Sequence, residues 1–137
     1  MSANSPNSHS SALQVSIHLA DRSYPIVIGS DLLCDSATYQ HLPLANTALI
    51  VSNTTVAPLY AAQLQAALQQ RYPRVLLLAL PDGEAHKDWP TLQLIFDVLL
   101  ANGCDRKTVL FALGGGVVGD MTGFAAASYM QIGRAHV

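Results

Sequence analysis

Three times between Thr47 and Met130 a short apolar or β-branched run gives way to apolar residues at helical spacing. "TALIVSN" (Thr47–Asn53) leads into "TVAPLYAAQLQAALQQR", and "RVLLLAL" (Arg74–Leu80) leads into the pattern Leu92, Ile95, Phe96, Leu99, Leu100. "TVLFAL" (Thr108–Leu113) leads through a glycine stretch into "DMTGFAAASYM". Strand–helix alternation of this kind admits few solutions, because parallel strands need crossover connections and the crossover helices cover the sheet faces. The expected class is α/β, an open parallel sheet with flanking helices.

Local signals sharpen this reading. Leu64 and Leu68 lie one turn apart while Gln63, Gln65, Gln69 and Gln70 point elsewhere, as in an amphipathic surface helix. "RVLLLAL" is nearly all apolar, so it is expected to be buried on both faces. Pro90 suits the first turn of the next helix, and Asn102 and Gly103 stop it. Upstream, Leu13, Val15, Ile17 and Leu19 alternate with polar residues, and "YPIVIG" follows the charged turn "ADRS", which predicts a hairpin. Ser30 and Asp31 are expected to cap a short, irregular helix through "LLCDSATYQHL".

Charge and composition remove several function classes. Only 12% of the residues are charged, the net charge is −2, and Lys and Arg do not cluster, so no footprint for nucleic acid or an anionic membrane is visible. The apolar run Val75–Leu80 is far shorter than the roughly 20 residues of a membrane span. Residues 1–12 are small and polar without the features of a secretory signal and read as a disordered tail, so a cytoplasmic location is expected. Cys34 and Cys104 form no metal-ligand pattern and read as reduced thiols, and the five histidines show no metal-ligand pairing. No catalytic triad or Cys-His arrangement is evident.

Two loops at strand ends carry the chemistry that is visible. Gly114, Gly116 and Gly119 satisfy G-x-G-x-x-G between a strand and a helix, where glycine lets the backbone approach a pyrophosphate and the helix start supplies free N–H groups. The plainer reading is a tight turn, and three adjacent glycines make accidental matches easier. The motif also follows the third strand rather than the first, which differs from an ordinary dinucleotide-binding domain. In "LPDGEAHK" (Leu80–Lys87), Glu84 can accept from ribose hydroxyls and Lys87 can hold a phosphate; a solvated Pro-Asp-Gly turn is the alternative. Asn53, at a third strand end, suits a helix cap or turn and is compatible with touching a ribose.

In order and spacing, "DRSYPIVIG", "VSNTTVAPLY", "LPDGEAHK" and "LGGGVVGDMTGFAAASY" resemble the N-terminal, Rossmann-like domain of 3-dehydroquinate synthases, over about Leu13 to Met130. The resemblance covers roughly the first third of such an enzyme. It implies a lyase of the shikimate pathway that converts 3-deoxy-D-arabino-heptulosonate 7-phosphate to 3-dehydroquinate and phosphate, with NAD and a divalent metal, zinc or cobalt. In that family NAD oxidises a ring hydroxyl, phosphate leaves, the ketone is reduced back, and ring opening with an aldol step closes the carbocycle. The family is commonly homodimeric and takes a small sugar phosphate as substrate.

Carried over by motif, Asn53 and the loop Asp82, Gly83, Glu84, Ala85, His86 and Lys87 would face NAD, with Asn53, Glu84 and Lys87 on the adenosine ribose side. Gly115, Gly116, Val117, Val118 and Gly119 would approach the pyrophosphate, and Asp120 the nicotinamide ribose. The family's metal ligands fall beyond Met130, so this chain alone is expected to be inactive. "QIGRAHV" departs from the family pattern, and Ile132–Val137 reads as translated adapter DNA, so residues 131–137 are expected to be a non-native tail. Other readings remain open: an inosose- or valiolone-forming cyclase, a polyol dehydrogenase of the glycerol dehydrogenase type, or a non-catalytic dinucleotide-binding module. "RSYPI" and "PDGEAHK" favour the dehydroquinate branch.

Overall fold

The computed structural model describes residues 13–19, 22–28 and 32–134. Strands β1 (Leu13–Leu19) and β2 (Arg22–Ile28) pair antiparallel, with Leu13 opposite Ile28 and Leu19 opposite Arg22, which is the predicted hairpin. Residues 1–12, Ser30 and Asp31 lie outside the described residues. The irregular helix expected after them contracts to one 3-10 turn, Ser36–Tyr39, and its cap is Asp35, whose Oδ1 accepts from the Ala37 amide at 3.0 Å.

The main sheet has three parallel strands in the order β4 (Arg74–Leu80), β3 (Thr47–Asn53), β5 (Val109–Ala112). Helix α1 (Ala57–Gln69) joins β3 to β4, α2 (Trp89–Ala101) joins β4 to β5, and α3 (Gly116–Arg134) comes after β5. Because crossovers are right-handed, stepping from β3 to β4 and then back across β3 to β5 obliges α1 and α2 to cover opposite faces. The burial obeys that rule. Ala48 and Ile50 of β3 pack with Ala61, Leu64, Ala67 and Leu68 of α1, the predicted amphipathic face. Leu49 and Val51 pack on the other face with Leu92, Ile95 and Leu99 of α2 and Val118, Met121 and Ala125 of α3.

The two cores differ in character. On the α1 side, Phe111 of β5 meets Tyr39 and Tyr72 edge-on at centroid distances of 6.0 and 5.9 Å, an arrangement that aromatic quadrupoles favour. On the α2 and α3 side the filling is mainly aliphatic, and the Tyr129 hydroxyl donates to the Cys104 carbonyl.

One burial expectation is corrected. Every residue of β3 is buried, but β4 is an edge strand of this sheet, with Leu77 43% exposed and Ala79 exposed. An apolar run shows that a strand can be buried on both faces, whereas strand order decides which one is. The last strand is also shorter than Thr108–Leu113. The Thr108 amide turns back to Asp105 O at 3.1 Å, although the Leu113 amide still extends the ladder to Val51 O at 2.8 Å.

Helix starts obey local chemistry. The α2 N-cap is Asp88, whose Oδ1 accepts from the Thr91 amide at 3.0 Å, and Pro90 sits in the first turn as expected. Hydrogen bonds from Thr91 hold the Asp88 carboxyl below its ordinary value. Helix α3 begins inside the glycine stretch and continues past Met130 to Arg134, so the backbone of residues 131–134 is helical, while residues 135–137 lie outside the described residues.

Candidate functional site

The loop after β3 leads to α1 on one face and the loop after β5 leads to α3 on the other, so the neighbouring strands β3 and β5 meet at a topological switch point. Open α/β sheets bind ligands at such a point. The buried Ser52 hydroxyl ties the two strand ends together, donating to Leu113 O at 2.7 Å.

On the β5 side, Gly114 has φ +156°, and a Cβ there would lie 3.1 Å from Val118 Cγ2, so both backbone and a tight contact disfavour a side chain at this position. Gly115, Gly116 and Gly119 are different: a Cβ on any of them would meet nothing within 4 Å. The Gly119 amide donates to Gly115 O at 3.0 Å, which starts the helical ladder. Helix geometry leaves the preceding amides of Gly116, Val117 and Val118 without intrahelical acceptors, at the positive end of a 19-residue helix. Val118 is buried in the α2-side core, so only its backbone can face a ligand.

The β3 and β4 loops are joined to each other. Asn53, only 8% exposed, uses Oδ1 to accept from the Thr55 amide at 3.0 Å and the Val56 amide at 2.7 Å. This is a turn role; the N-cap of α1 is Val56, which carries no side-chain cap bond. Its Nδ2 donates to Asp82 Oδ1 at 3.2 Å, and the Thr55 hydroxyl donates to Asp82 Oδ2 at 2.6 Å. Gly83 then turns at φ +112°, a conformation that side chains resist, and Glu84–His86 form a single exposed 3-10 turn with Ala85 between them. The turn closes with the His86 amide on Gly83 O and the Lys87 amide on Glu84 O, both at 3.0 Å.

Lys87 completes the link to α3. Its Nζ lies 2.9 Å from Asp120 Oδ2, and that hydrogen bond, reinforced by the Asp120 charge, raises the ammonium above its ordinary value. Beside the pair is a cleft of about 710 Å³ lined by Lys87, Asp88, Trp89, Leu92, Asp120, Met121 and Phe124. Trp89 and Phe124 are 72% and 51% exposed and meet edge-on at 5.9 Å. Large aromatic surface left open beside a charged pair suits a planar, partly polar ligand.

The structure therefore gathers Asn53 with Asp82, and Lys87 with Asp120, across three strand ends. It leaves Glu84 and His86 exposed on the outer turn. Sequence reading missed Thr55, Trp89 and Phe124. Trp89 and Phe124 could have been found from their placement near Lys87 and Asp120 in successive helix starts, but their mutual contact could not. Among the described residues, no group of three or more His, Cys, Asp or Glu could hold a metal ion, and no helix is long and apolar enough to cross a membrane.

Residues 77–135 match the family model for the N-terminal part of 3-dehydroquinate synthase. Among solved structures, the chain is similar to a 2-deoxy-scyllo-inosose synthase crystallised with carbaglucose-6-phosphate, NAD+ and Co2+, at 22% identity and a TM-score of 0.77 over 87% of this chain. A second 2-deoxy-scyllo-inosose synthase structure gives 23% identity and a TM-score of 0.75 over 84% of this chain. The chain spans about a third of those structures, 33% and 32% respectively. Its fold is thus the fold of the corresponding third of these synthases, and its stretch from 77 to 135 is similar in sequence to the N-terminal part of 3-dehydroquinate synthases.

Proposed function

We propose that this chain is the dinucleotide-binding part of a sugar-phosphate cyclase of the dehydroquinate synthase type, and that the whole protein forms 3-dehydroquinate from 3-deoxy-D-arabino-heptulosonate 7-phosphate. The carrying observation is the start of α3: amides at Gly116, Val117 and Val118 without intrahelical acceptors, and, its chain neighbours aside, no described residue within 4 Å of where a Cβ on Gly116 would stand. Backbone donors at a helix N-terminus, approachable at close range, suit a pyrophosphate. The family match over 77–135 supports the choice of reaction.

The residues present fit NAD, which would supply a reversible oxidation of a substrate hydroxyl. The amides of α3 would hold the pyrophosphate, and the Lys87 ammonium would add positive charge at the rim. Glu84 would accept from ribose hydroxyls. Asp120, paired with Lys87, would face the other ribose, and the Trp89–Phe124 cleft would shield a ring from water. The described residues do not fit a divalent metal, so no step is assigned to one.

Trp89 is the single tryptophan of the chain and lines the cleft, which makes its fluorescence a direct reporter. Titration of the chain with NAD+ is expected to quench that emission along a saturable curve. Quenching that stays linear, matching free N-acetyltryptophanamide under the same additions, would remove the cofactor reading.

A further inference from the structure

We propose that Asp82 is a positioning residue: its carboxylate clasps the β3–α1 loop to the β4–α2 loop and so fixes where Glu84 and Lys87 stand relative to the start of α3. The proposal rests on the cofactor reading above for its consequence in binding, although the clasp itself is a matter of geometry.

Both carboxylate oxygens of Asp82 have a partner in the β3–α1 loop, Oδ1 with Asn53 Nδ2 and Oδ2 with Thr55 Oγ1. Asn53 is a firm anchor. It ends the wholly buried central strand, stands opposite Leu80 in the parallel register, and its own Oδ1 is committed to the Thr55 and Val56 amides. The Thr54 amide adds a bond to Leu80 O at 3.0 Å. An exposed loop residue is thereby connected to the most rigid part of the sheet.

The backbone just beyond Asp82 is where a clasp matters. Gly83 adopts φ +112°, and nothing lies within 4 Å of where its Cβ would be, so no side-chain contact of its own helps to fix this turn. Glycine is also the residue that loses most conformational freedom on ordering. The segment beyond Gly83 bears Glu84 and ends at Lys87, which pairs with Asp120 on α3. The clasp before Gly83 and the ion pair after it hold the segment at both ends, which lowers the ordering cost that a ligand would otherwise meet.

Exchange in the ligand-free chain separates this role from direct ligand contact. An asparagine at this position can keep both bonds, because its carbonyl accepts from Asn53 and its NH₂ donates to the Thr55 hydroxyl, which is an acceptor as well as a donor. Alanine keeps neither. Direct contact with ribose hydroxyls would leave amide exchange in the ligand-free chain unmoved by either substitution, whereas loss of a clasp loosens both loops before any ligand arrives.

The test compares the unmodified chain with Asp82→Asn, Asp82→Ala and Thr55→Val by NAD+ titration of Trp89 fluorescence and by backbone amide exchange. Expected for Asp82→Ala is a Kd for NAD+ raised about tenfold, the scale of losing about one net hydrogen bond's worth of preorganisation, with faster exchange in 54–56 and 83–87 together. Asp82→Asn is expected to restore both readouts to within about twofold, and Thr55→Val, which removes one bond and touches neither Gly83 nor Lys87, to fall between. A loss in Asp82→Asn equal to that in Asp82→Ala, or an unchanged Kd in Asp82→Ala, overturns the proposal. If the unmodified chain does not bind NAD+, the cofactor reading fails, and exchange alone decides. Acceleration of both loops by alanine, reversed by asparagine, sustains the clasp; acceleration of neither loop or of one alone ends it.

Discussion

Gly116→Ala is expected to separate stability from binding, with the two moving in opposite directions. Gly116 is the first residue of α3, and a Cβ built on it meets nothing within 4 Å. Replacing glycine by alanine at a compatible helical position stabilises by about 0.4–1 kcal/mol, chiefly through the unfolded state. Cα–Cβ bonds tilt toward the helix N-terminus, so the new methyl group would project to where the pyrophosphate is proposed to sit. Charge-assisted hydrogen bonds to an anion are worth about 1.5–3 kcal/mol each, so displacement by even one such bond predicts a loss of NAD+ affinity of at least about tenfold. Thermal melting and NAD+ titration of one preparation measure both effects. Undiminished affinity in a well-folded Gly116→Ala chain would contradict the proposed approach of the phosphates.

The second large effect concerns the fold. Ile95 is fully buried where α2 meets the sheet, in the same cluster as Leu49, Val51 and Met121. Truncation of such a residue to alanine costs about 2–5 kcal/mol in lost transfer energy and residual cavity. Against a total stability of about 5–15 kcal/mol for ordinary domains, that removes a large fraction. Urea unfolding of Ile95→Ala should show the midpoint falling with little change in slope. Leu100→Ala, five residues further on but 65% exposed, should stay within about 0.5 kcal/mol of the parent. Similar midpoints for the two variants would mean that α2 does not pack on β3 through Ile95.

The contrast between these helical neighbours shows what periodicity can reveal. The helical spacing of Leu92, Ile95, Phe96, Leu99 and Leu100 located the helix, but of these Leu92, Ile95 and Leu99 are buried, Phe96 is partly buried and Leu100 is exposed, so spacing alone did not separate Ile95 from Leu100; β3 was legible to the residue because its apolar run is bounded by turn formers. Burial of β4 was not legible, since its neighbours are set by the order of strands in space. The glycine turn announced its own location, yet sequence could not distinguish Gly114, where a Cβ would press on Val118, from Gly116, where a Cβ would meet nothing within 4 Å.

The site was harder to read for a related reason. Its parts are individually ordinary residues whose meaning comes from pairing across long separations. Asn53 and Asp82 are 29 positions apart, and Lys87 and Asp120 are 33 apart. Each looks like a solvated turn or cap until the parallel sheet brings the loop ends together. Motif resemblance indicated which loops to watch, while only the structure showed that Asp82 engages Asn53 and Thr55 and that Trp89 and Phe124 leave an aromatic cleft beside the ion pair.

We propose that one dinucleotide lies across the carboxyl ends of β3, β4 and β5. An NMR titration of the isotope-labelled chain with NAD+, following backbone amides and the Trp89 indole N–H, tests that claim residue by residue. Saturable shifts are expected at Gly115–Gly119, at Glu84–Lys87 and at the Trp89 indole, with one shared Kd, while Ala61–Leu68 on the far face stays unmoved. Shifts absent from Gly115–Gly119, or centred on α1 instead, would contradict it.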